Sequence, residues 1–422
     1  TDANGTCRIG QTVAKLTGTA SYSNGKYTIT LTKKPEFQGN ERPTICNIEE
    51  DYNLKVVSFN VENYKGVNDV QRTKIVAALK AMDADIYALL EVFGNSSLND
   101  LCTALNTACQ TNQYKYIENS TANQGMACFI YNSNTVIPFK ELQKNRLADN
   151  GYLPDRKIAQ AFDLKANNER FIVCLNHWKA DEYADTGDGQ GSHVLRRVHE
   201  AEATLEFIKT VTAYFEDEDV LVVGDLNSYS KEDPIRVLEE GKLINELQKY
   251  APNEYSYAFF SNNSYATGYL DHSFATATLD AQICYAHPFH INADEPGVLK
   301  IIGGKPQKDN MYRCSDHNPI VTFIKLGTTT GIESPTLSHP DIELIGDPRS
   351  GYLTLVSNTD FVLIRAEIVN IGGQIIAAYD TNNAGNTEKH FTLPVKNLAS
   401  GFYLVRAYDA QNRCTTYKVV LP

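Results

Sequence analysis

The chain lacks the marks of several protein classes. Its 422 residues include one Trp and three Met, and none of the nine cysteines forms a Cys-x-x-Cys pair. The sequence therefore offers no zinc or dithiol redox site of that type. No apolar run approaches the roughly 18–20 residues that cross a bilayer as a helix. The composition, 42% hydrophobic and 21% charged, is typical of a folded protein.

Positive charge is also scarce. The formal net charge is −12 and the isoelectric point is near 5.3. Nonspecific affinity for nucleic acid comes from Lys and Arg side chains that neutralise phosphates, so an acidic chain is an unusual nucleic-acid enzyme. Two interpretations remain. Either nucleic acid is not the substrate, or metal ions and a local basic strip supply the positive field.

The cysteine count favours an oxidising compartment and at least one unpaired thiol, because nine is odd. We predict disulfides between Cys7 and Cys46 and between Cys102 and Cys109. Two further cysteines lie in strand-like runs and are expected to be buried thiols: Cys128 and Cys174. The sequence begins at Thr1 without a charged, apolar leader, so we expect that an export signal has been removed.

Four regions are predicted along the chain. Residues 1–50 are a short β-rich segment, in which Ser23-Asn24-Gly25 predicts a hairpin turn. Residues 51–326 alternate apolar strands with helices, which predicts an α/β domain with covered sheets. Residues 327–336 are a linker rich in Gly, Thr and Ser. Residues 337–422 contain short strands and turns typical of a small all-β sandwich.

Two helices of the α/β region have a clear apolar period. One starts at Asn68 or Asp69, and a longer one spans residues 193–215. In the longer helix we expect Leu195 and Ile208 to face inward and Arg197 to lie on the solvated face.

Polar residues stand at the ends of several predicted strands, where ligands bind in α/β sheets. Each alone is ambiguous, because a carboxylate or amide after a strand is commonly a turn former or a helix cap. Together, carboxylates, amides and imidazoles without a thiolate motif favour a hard cation such as Mg²⁺, Mn²⁺ or Ca²⁺. The candidates by position are Asn60, Glu91, Asn176, His177, Asp225, Asn227, Asp271, Asp316 and His317.

In sequence order, these motifs resemble the endonuclease/exonuclease/phosphatase superfamily, whose fold is that of deoxyribonuclease I. The segments that carry the resemblance are Ser58–Asn63, Leu89–Glu91, Asn176–Lys179, Gly224–Asn227, Leu270–His272 and Ser315–His317. Residues 187–191, 290–296 and the upstream 16–18 and 22–23 look like its bacterial extracellular nuclease branch. The resemblance covers about residues 52–325 and implies a four-layer α/β/β/α sandwich.

The resemblance also implies roles for individual residues. Glu91 is the principal metal ligand, with Asn60 and Asp316 near the ion. His317, oriented by Asp271, binds the scissile phosphate or activates water.

Further implied roles concern the substrate. Asp225 and Asn227 position the nucleophile and phosphate oxygens, His177 bonds a phosphate oxygen or acts as general acid, and Arg156 contacts phosphate. Asn176 is a further substrate-binding candidate. The sequence departs from animal deoxyribonucleases near Cys128–Tyr131, where no Glu partner for His177 is found.

Three further acidic residues have three interpretations. They form a structural Ca²⁺ site, contact substrate, or are solvated loop charges. They are Asp185, Asp188 and Asp294.

The last region resembles the C-terminal sorting domain of type IX secretion substrates. The resemblance rests on Gly351–Leu353, Ile368–Gly373, Leu398–Val405 and Tyr417–Val420. It implies recognition by outer-membrane secretion machinery and a protein that is secreted or held on a bacterial surface. A carbohydrate-binding or adhesive sandwich is the alternative.

Three functions compete for the whole chain. The leading hypothesis is a monomeric, nonspecific extracellular endonuclease that hydrolyses DNA or RNA to 5′-phosphate products. A sphingomyelinase or another phosphoesterase of the same fold is the second. The third is a catalytically inactive surface adhesin, against which the intact set of polar residues argues.

Overall fold

The computed structural model describes residues 6–66, 69–119, 125–147, 154–182, 189–261, 264–299, 301–302, 305–306, 310–327, 342–346, 350–357, 362–370, 374–381, 387, 389–409 and 414–421. The chain divides into two compact units, Thr1–Thr328 and Thr329–Pro422. None of the helices in these described ranges is both long enough and apolar enough to cross a membrane.

The strands and helices of the first unit follow one another in this order: β1 (Thr12–Val13), β2 (Gly18–Ser23), β3 (Lys26–Leu31), β4 (Phe37–Gln38), β5 (Leu54–Tyr64), α1 (Asp69–Met82), β6 (Ile86–Phe93), α2 (Gly94–Cys109), β7 (Tyr114–Ile117), β8 (Gly125–Asn132), β9 (Val136–Lys144), β10 (Lys157–Leu164), β11 (Arg170–His177), α3 (Val194–Phe215), β12 (Val220–Asp225), α4 (Asp233–Glu240), β13 (Ile244–Asn245), α5 (Glu246–Tyr250), β14 (Tyr257–Ser261), β15 (Ser264–Gly268), β16 (Asp271–Ala275), α6 (Ala277–Asp280), β17 (Ile283–Pro288), β18 (Ile301–Ile302), β19 (Lys305–Pro306) and β20 (Ile320–Ile324).

Two six-stranded sheets form the centre of this unit. The first has the order β17-β20-β5-β6-β8-β7 and the second the order β13-β16-β12-β11-β10-β9. Strand β5 runs parallel to β6, and β11 runs parallel to β12, whereas the other neighbours in these sheets are antiparallel. The parallel strands are apolar on both faces because both faces are covered.

Three apolar cores separate four layers. Helices α1 and α2 pack on the outer face of the first sheet through residues such as Leu79 and Leu101. Facing side chains of the two sheets, including Val56 and Val173, form the central core. Helices α3 and α4 cover the second sheet through residues such as Phe215. This arrangement confirms the predicted α/β/β/α sandwich.

Helix α3 departs from the prediction on both of its faces. Ile208 is buried as expected, but Leu195 is 75% exposed. Arg197, expected in solvent, is fully buried. Its guanidinium donates to Ser228 Oγ at 3.0 Å and to the Ser192 carbonyl at 2.8 Å. The first turn of α3 therefore faces loops that offer hydrogen-bond acceptors. The spacing of apolar residues along the helix cannot reveal such acceptors.

Both predicted disulfides are wrong. Among the described cysteines, Cys7, Cys46, Cys102 and Cys109 are all free thiols. Cys102 and Cys109 lie seven residues apart on the single helix α2, which separates them by roughly 10 Å along the axis, too far for a bridge. Cys46 is buried, with Sγ 4.0 Å from His287 Nε2. The buried thiols predicted in β8 and β11 are confirmed: Cys128 and Cys174.

The second unit is β-rich, as predicted. In chain order its strands in the described ranges are β21 (Ile342–Ile345), β22 (Tyr352–Ser357), β23 (Leu363–Asn370), β24 (Ile375–Asp380), β25 (His390–Pro394), β26 (Gly401–Asp409) and β27 (Cys414–Leu421). They form a three-stranded sheet, β21-β22-β25, and a four-stranded sheet, β24-β23-β26-β27. Leu355, Ile368, Phe391 and Val405 belong to the core of this unit.

Candidate active site

Polar side chains from both central sheets meet at one edge of the sandwich. Strands β5 and β6 bring Asn60 and Glu91 from the first sheet. In the second sheet, His177 of β11 pairs with Asp225 of β12, which in turn pairs with Asp271 of β16. Three chemically active side chains therefore stand in a row across adjacent strand ends.

Local backbone conformation places these side chains. Glu91 and Asn227 adopt left-handed conformations, with φ of 63° and 49°, which cost energy in residues that are not glycine. The pairing of β5 with β6 shifts register after Asn60, and such irregularities re-aim side chains near functional sites. Gly224 has φ of 135°, and a Cβ there would lie 1.9 Å from the Asn176 carbonyl oxygen. Only glycine allows β12 to approach β11 so closely just before Asp225.

Asn60 connects the carboxylates of the two sheets. Its Nδ2 donates to Glu91 Oε1 at 3.3 Å and to Asp225 Oδ2 at 3.0 Å. Glu91 also accepts from the backbone N–H of Asn63 at 2.9 Å. His177 Nε2 lies 3.7 Å from the same two oxygens, Glu91 Oε1 and Asp225 Oδ2. Two carboxylates, one amide and one imidazole thus surround a common point.

His317 lies on the other side of Asp225. Its Nδ1 donates to Asp271 Oδ2 at 2.7 Å, and its Nε2 lies 3.8 Å from Asp225 Oδ2. Asp271 is itself held by its backbone N–H, which donates to Ser256 Oγ at 3.0 Å. A carboxylate on Nδ1 fixes the orientation of the ring and directs Nε2 toward Asp225.

Opposite electrostatic environments act on the two histidines. Burial disfavours charge on His317, but Asp271 and Asp225 outweigh that cost and raise its pKa well above the ordinary value. Burial lowers the pKa of His177 to about 3, and the positive charges of Arg156, His317 and Lys157 lower it further. At neutral pH His317 is therefore an imidazolium and His177 a neutral imidazole.

The side chain of Asp225 is the central carboxylate of the cluster. Burial raises its pKa to about 7, Asp271 adds to the shift, and the charge of His317 and hydrogen bonds from Asn60 and Asn227 oppose it. Asn227 contributes its backbone N–H to Asp225 Oδ1 at 3.0 Å, and its amide donates to the Trp178 carbonyl. The Asp225 carboxylate is therefore a stronger base than an exposed aspartate.

The donor set suits a hard divalent cation. Asp225, Asp271 and His317 present ligand atoms within 4.8 Å of one another. The Nδ1 of His317 is engaged by Asp271, however. Asp225 and Glu91 are the two carboxylates that Asn60 bridges. The Glu91 side chain is 21% exposed, so its oxygens are accessible from solvent. Oxygen donors of this kind could hold Mg²⁺, Mn²⁺ or Ca²⁺.

The remaining predicted site residues divide into two groups. Asp316 lies beside the cleft, because its neighbour Ser315 donates from Oγ to the Asn60 carbonyl at 2.6 Å. Arg156 donates to the Gly125 carbonyl at 3.3 Å and is close enough to His177 to influence its charge.

Asn176 is not brought to this cluster. Its side chain lies on the opposite face of β11, where Oδ1 accepts from Thr204 Oγ1 of α3 at 3.3 Å. Successive side chains of a strand point to opposite faces, so Asn176 and His177 cannot both face the cleft.

Sequence reasoning missed the residues that hold the His317 loop. Asn292 Nδ2 donates to the His317 carbonyl at 2.7 Å, and its Oδ1 accepts the Cys314 N–H at 2.9 Å. Asn318 Oδ1 accepts the N–H groups of Asn292 and Ala293. The only available signal was that Asn292 lies inside a segment that resembles the nuclease family and that Asn318 directly follows another.

An aromatic ring was missed as well. The ring of Tyr257, in β14, lies 4.8 Å from the His317 ring between centroids. No local sequence pattern indicates this contact, because it depends on a bridge between residues 60 positions apart.

The predicted Ca²⁺ site is only partly described. Asp185 and Asp188 lie outside the described residues. Asp294 binds protein groups instead: His290 Nδ1 lies 2.9 Å from Oδ2, and Tyr255 donates to Oδ1 at 2.7 Å.

Comparison with known families agrees with this geometry. Residues 57–317 match the model of the Endonuclease/Exonuclease/phosphatase family. The chain belongs to this family. Its members include phosphoesterases and nucleases, which is the class of chemistry that the cleft residues suit. The matched span contains every residue of the cluster around Asn60, Glu91, His177, Asp225 and His317.

The second unit has its own match. Residues 347–421 fit the model of a secretion system C-terminal sorting domain. This confirms the predicted localisation: the protein is secreted or attached to the cell surface. No curated protein sequence matches the chain.

Several solved structures are similar to about two thirds of the chain. An endonuclease/exonuclease/phosphatase family protein from Bacteroides thetaiotaomicron is 18% identical, covers 64% of this chain and 96% of its own, and has a TM-score of 0.46. A mannosyl-6-phosphatase from the same organism is 17% identical, covers 64% of this chain and 98% of its own, and has a TM-score of 0.45. TDP2 from D. rerio, in complex with a single-stranded DNA product, is 14% identical, covers 64% of this chain and 97% of its own, and has a TM-score of 0.44.

Proposed function

We propose that this protein is a secreted, divalent-metal-dependent phosphodiesterase, a nonspecific endonuclease that hydrolyses DNA or RNA to 5′-phosphate products. The observation that carries the proposal is the arrangement around Asp225. A charged His317, fixed by Asp271, lies on one side at 3.8 Å, and Asn60 connects the same carboxylate to Glu91 on the other. These are the groups that hydrolysis of a phosphate ester requires.

Phosphodiester hydrolysis must neutralise the nonbridging oxygens, orient a water molecule and stabilise the leaving oxygen. The imidazolium of His317 supplies a positive hydrogen-bond donor for a nonbridging oxygen. Arg156 supplies a second positive charge near His177. A cation held by Glu91, with Asn60 and Asp316 beside it, supplies Lewis acidity when bound.

Proton transfer is assigned to Asp225. Burial raises its pKa, which makes it a stronger proton acceptor for an attacking water. Asn227, held through Trp178, positions the water and the phosphate oxygens. The neutral imidazole of His177 donates one hydrogen bond to a phosphate oxygen or to the leaving group.

The domain roles follow from these assignments. We assign catalysis to residues 51–326, a linker to 327–336 and recognition by the outer-membrane secretion machinery to residues 337–422. We assign residues 1–50 as a β-rich segment that precedes the catalytic domain. The mature enzyme acts as a monomer outside the cell, where polymeric DNA and RNA are available.

One gel tests the proposal. Plasmid DNA, linear DNA and RNA are incubated with the full chain, with Mg²⁺, Mn²⁺ or Ca²⁺ in turn and with EDTA. We expect at least one cation to convert supercoiled plasmid to nicked and linear forms, and EDTA to stop the reaction. A parallel assay follows hydrolysis of sphingomyelin. Cleavage of sphingomyelin without nucleic acid would instead identify a lipid phosphodiesterase, and inactivity on every substrate would support the adhesin.

A further inference from the structure

A β-hairpin in the N-terminal segment has both faces in solvent. Strands β2 and β3 pair along their whole length, from Gly18 opposite Leu31 to Ser23 opposite Lys26, and every residue of both strands is exposed. The turn, Asn24-Gly25, has φ of 53° and 76°, which is typical of the tight type I′ turn. The hairpin is therefore well formed without burying either face.

The two faces of this hairpin differ in chemistry. Residues opposite each other point to the same side, so Tyr22 and Tyr27 share one face with Ile29. Their rings lie 4.7 Å apart between centroids. Tyr22 is 64% exposed, Tyr27 84% and Ile29 56%. The other face presents one lysine and hydroxyl groups: Thr19, Ser21, Lys26, Thr28 and Thr30.

The hairpin is also the local basic strip of an acidic protein. Residues 11–35 contain four lysines and no Asp or Glu, although the whole chain carries a net charge of −12. All four are exposed, and none forms a salt bridge with a carboxylate in the described part of the chain: Lys15, Lys26, Lys33 and Lys34.

Both ends of the segment attach to the buried residues Asp294 and Glu295 of the first unit. Arg8, before the hairpin, lies 3.3 Å from Glu295, and Arg42, after it, lies 2.7 Å from the same carboxylate. The backbone N–H of Ile9 donates to the Asp294 carbonyl at 2.9 Å. Asp294 in turn accepts from Asn318, the residue after His317, at 3.0 Å. The residues on either side of the hairpin are therefore anchored to a segment that Asn318 links to the loop of His317.

We propose that the β2–β3 hairpin is a substrate-binding arm for single-stranded nucleic acid, outside the cleft. Exposed aromatic rings are platforms on which unpaired bases stack, and lysines attract the backbone that connects those bases. This inference rests on the proposed nuclease function and deepens it. The arm retains a polymer near a cleft that the remaining negative charge of the protein would otherwise repel.

Binding in EDTA tests the arm separately from catalysis. A fluorescein-labelled oligonucleotide of about 20 thymidines, longer than a single binding site, is titrated by anisotropy at several salt concentrations. The stacking variant is Tyr22→Ser with Tyr27→Ser, and the charge variant replaces Lys26, Lys33 and Lys34 by Ala. We expect Kd to rise on the order of tenfold in each. The charge variant should also reduce the slope of log Kd against log salt by about 2.

The matched control replaces three exposed lysines elsewhere in the first unit by Ala: Lys115, Lys165 and Lys242. We expect its Kd and salt slope to stay near those of the wild type. A duplex of the same length should bind more weakly than the single strand, and its binding should not respond to the tyrosine changes, because paired bases remain stacked on one another.

Each outcome decides the proposal. Hairpin variants that bind like the wild type, or a wild type that does not bind, would overturn it even if plasmid cleavage with Mg²⁺ is normal. If the variants lose binding and no form of the protein cleaves plasmid, the binding role of the hairpin is supported and the proposed nuclease function is wrong. If the tyrosine variant converts a dimer to a monomer in sedimentation while its Kd is unchanged, a second copy covers this face and the proposal fails.

Discussion

His317 and His177 stand at the same edge of the sandwich, and each is only 6% exposed. The difference between them lies in the nearest carboxylate. Asp271 accepts from His317 Nδ1 at 2.7 Å, whereas the closest carboxylate oxygens to His177 Nε2 lie at 3.7 Å. Burial disfavours charge on both rings, and for His177 the nearby positive charges add to that effect.

The comparison shows how one cleft holds two imidazoles in different states. A short hydrogen bond to a carboxylate overcomes desolvation, but carboxylates at a greater distance do not when cations are also near. Groups whose pKa values are driven apart are suited to different steps. His317 is therefore the charged phosphate ligand, and His177 is the neutral donor.

Removing the charged ring should have the largest effect. We expect His317→Ala to lower kcat on a dinucleotide phosphodiester by about 10²–10⁴-fold, because its positive donor is lost. Steady-state kinetics with Mg²⁺ measure this. His199, exposed on α3, supplies the control variant His199→Ala. If His317→Ala retains more than about a tenth of the activity while folded, the assignment is wrong.

Removing only the carboxylate partner should cost less and change the pH profile. Asp271→Asn keeps a hydrogen-bond acceptor but removes the negative charge that raises the pKa of His317. Its pKa then falls, so the imidazolium and the activity that needs it are lost at lower pH than in the wild type. We expect kcat to fall by about 10²-fold at pH 8 and less at pH 6.

The control for this variant is Ser273→Ala on the same strand, where Ser273 Oγ contacts only Thr322 Oγ1, at 3.0 Å, among the described side chains. If kcat of Asp271→Asn declines at the same alkaline pH as kcat of the wild type, the carboxylate does not set the charge of His317.

Replacing the neutral ring should have a smaller effect. His177→Gln keeps a hydrogen-bond donor and carries no charge, as the native imidazole does at neutral pH. We expect kcat to fall by about tenfold, with little change in the shape of the pH profile. The kcat of His177→Ala, which lacks the hydrogen-bond donor, should fall further. A larger loss in His177→Gln than in His317→Ala would reverse the roles assigned to the two rings.

The same contrast can be examined outside the cleft in His290. Burial opposes its charge, but hydrogen bonds to Asp294 and Glu254 raise its pKa to about 9. A group whose pKa is higher in the folded than in the unfolded state stabilises the fold. This contribution is complete at pH values below the unfolded pKa, near 6.5, and disappears as the pH rises through about 9. We expect His290→Gln to destabilise the first unit by about 2 kcal/mol at pH 6 and by less at pH 9.5.

Urea unfolding followed by fluorescence measures this stability. Trp178 is the single Trp of the chain and is buried in the first unit, so its emission reports that unit alone. His199→Gln is the control and should show no such pH dependence. Equal destabilisation at both pH values would mean that the charge of His290 contributes nothing.

Much of the cleft could be predicted because strand ends in an α/β sandwich meet at an edge. Glu91, Asp225 and His317 were found from their positions after apolar runs and from the order of their motifs. Asn176 follows the same local pattern, yet strand alternation turns it toward Thr204.

Other features depended on distant parts of the chain. The burial of Arg197 requires acceptors from Ser192 and Ser228, and the ring of Tyr257 reaches His317 only after the sheets assemble. The disulfides failed for a simpler reason: cysteine spacing indicates neither helix geometry nor burial.

The most direct measurement is release of 4-nitrophenol from a thymidine 5′-phosphodiester by the full chain and by Glu91→Ala, with and without Mg²⁺ or Mn²⁺. We expect multiple turnovers by the wild type with a divalent cation, none in EDTA, and background rates for Glu91→Ala. Equal turnover by both proteins, or turnover in EDTA, would contradict a metal-dependent phosphodiesterase at this cleft.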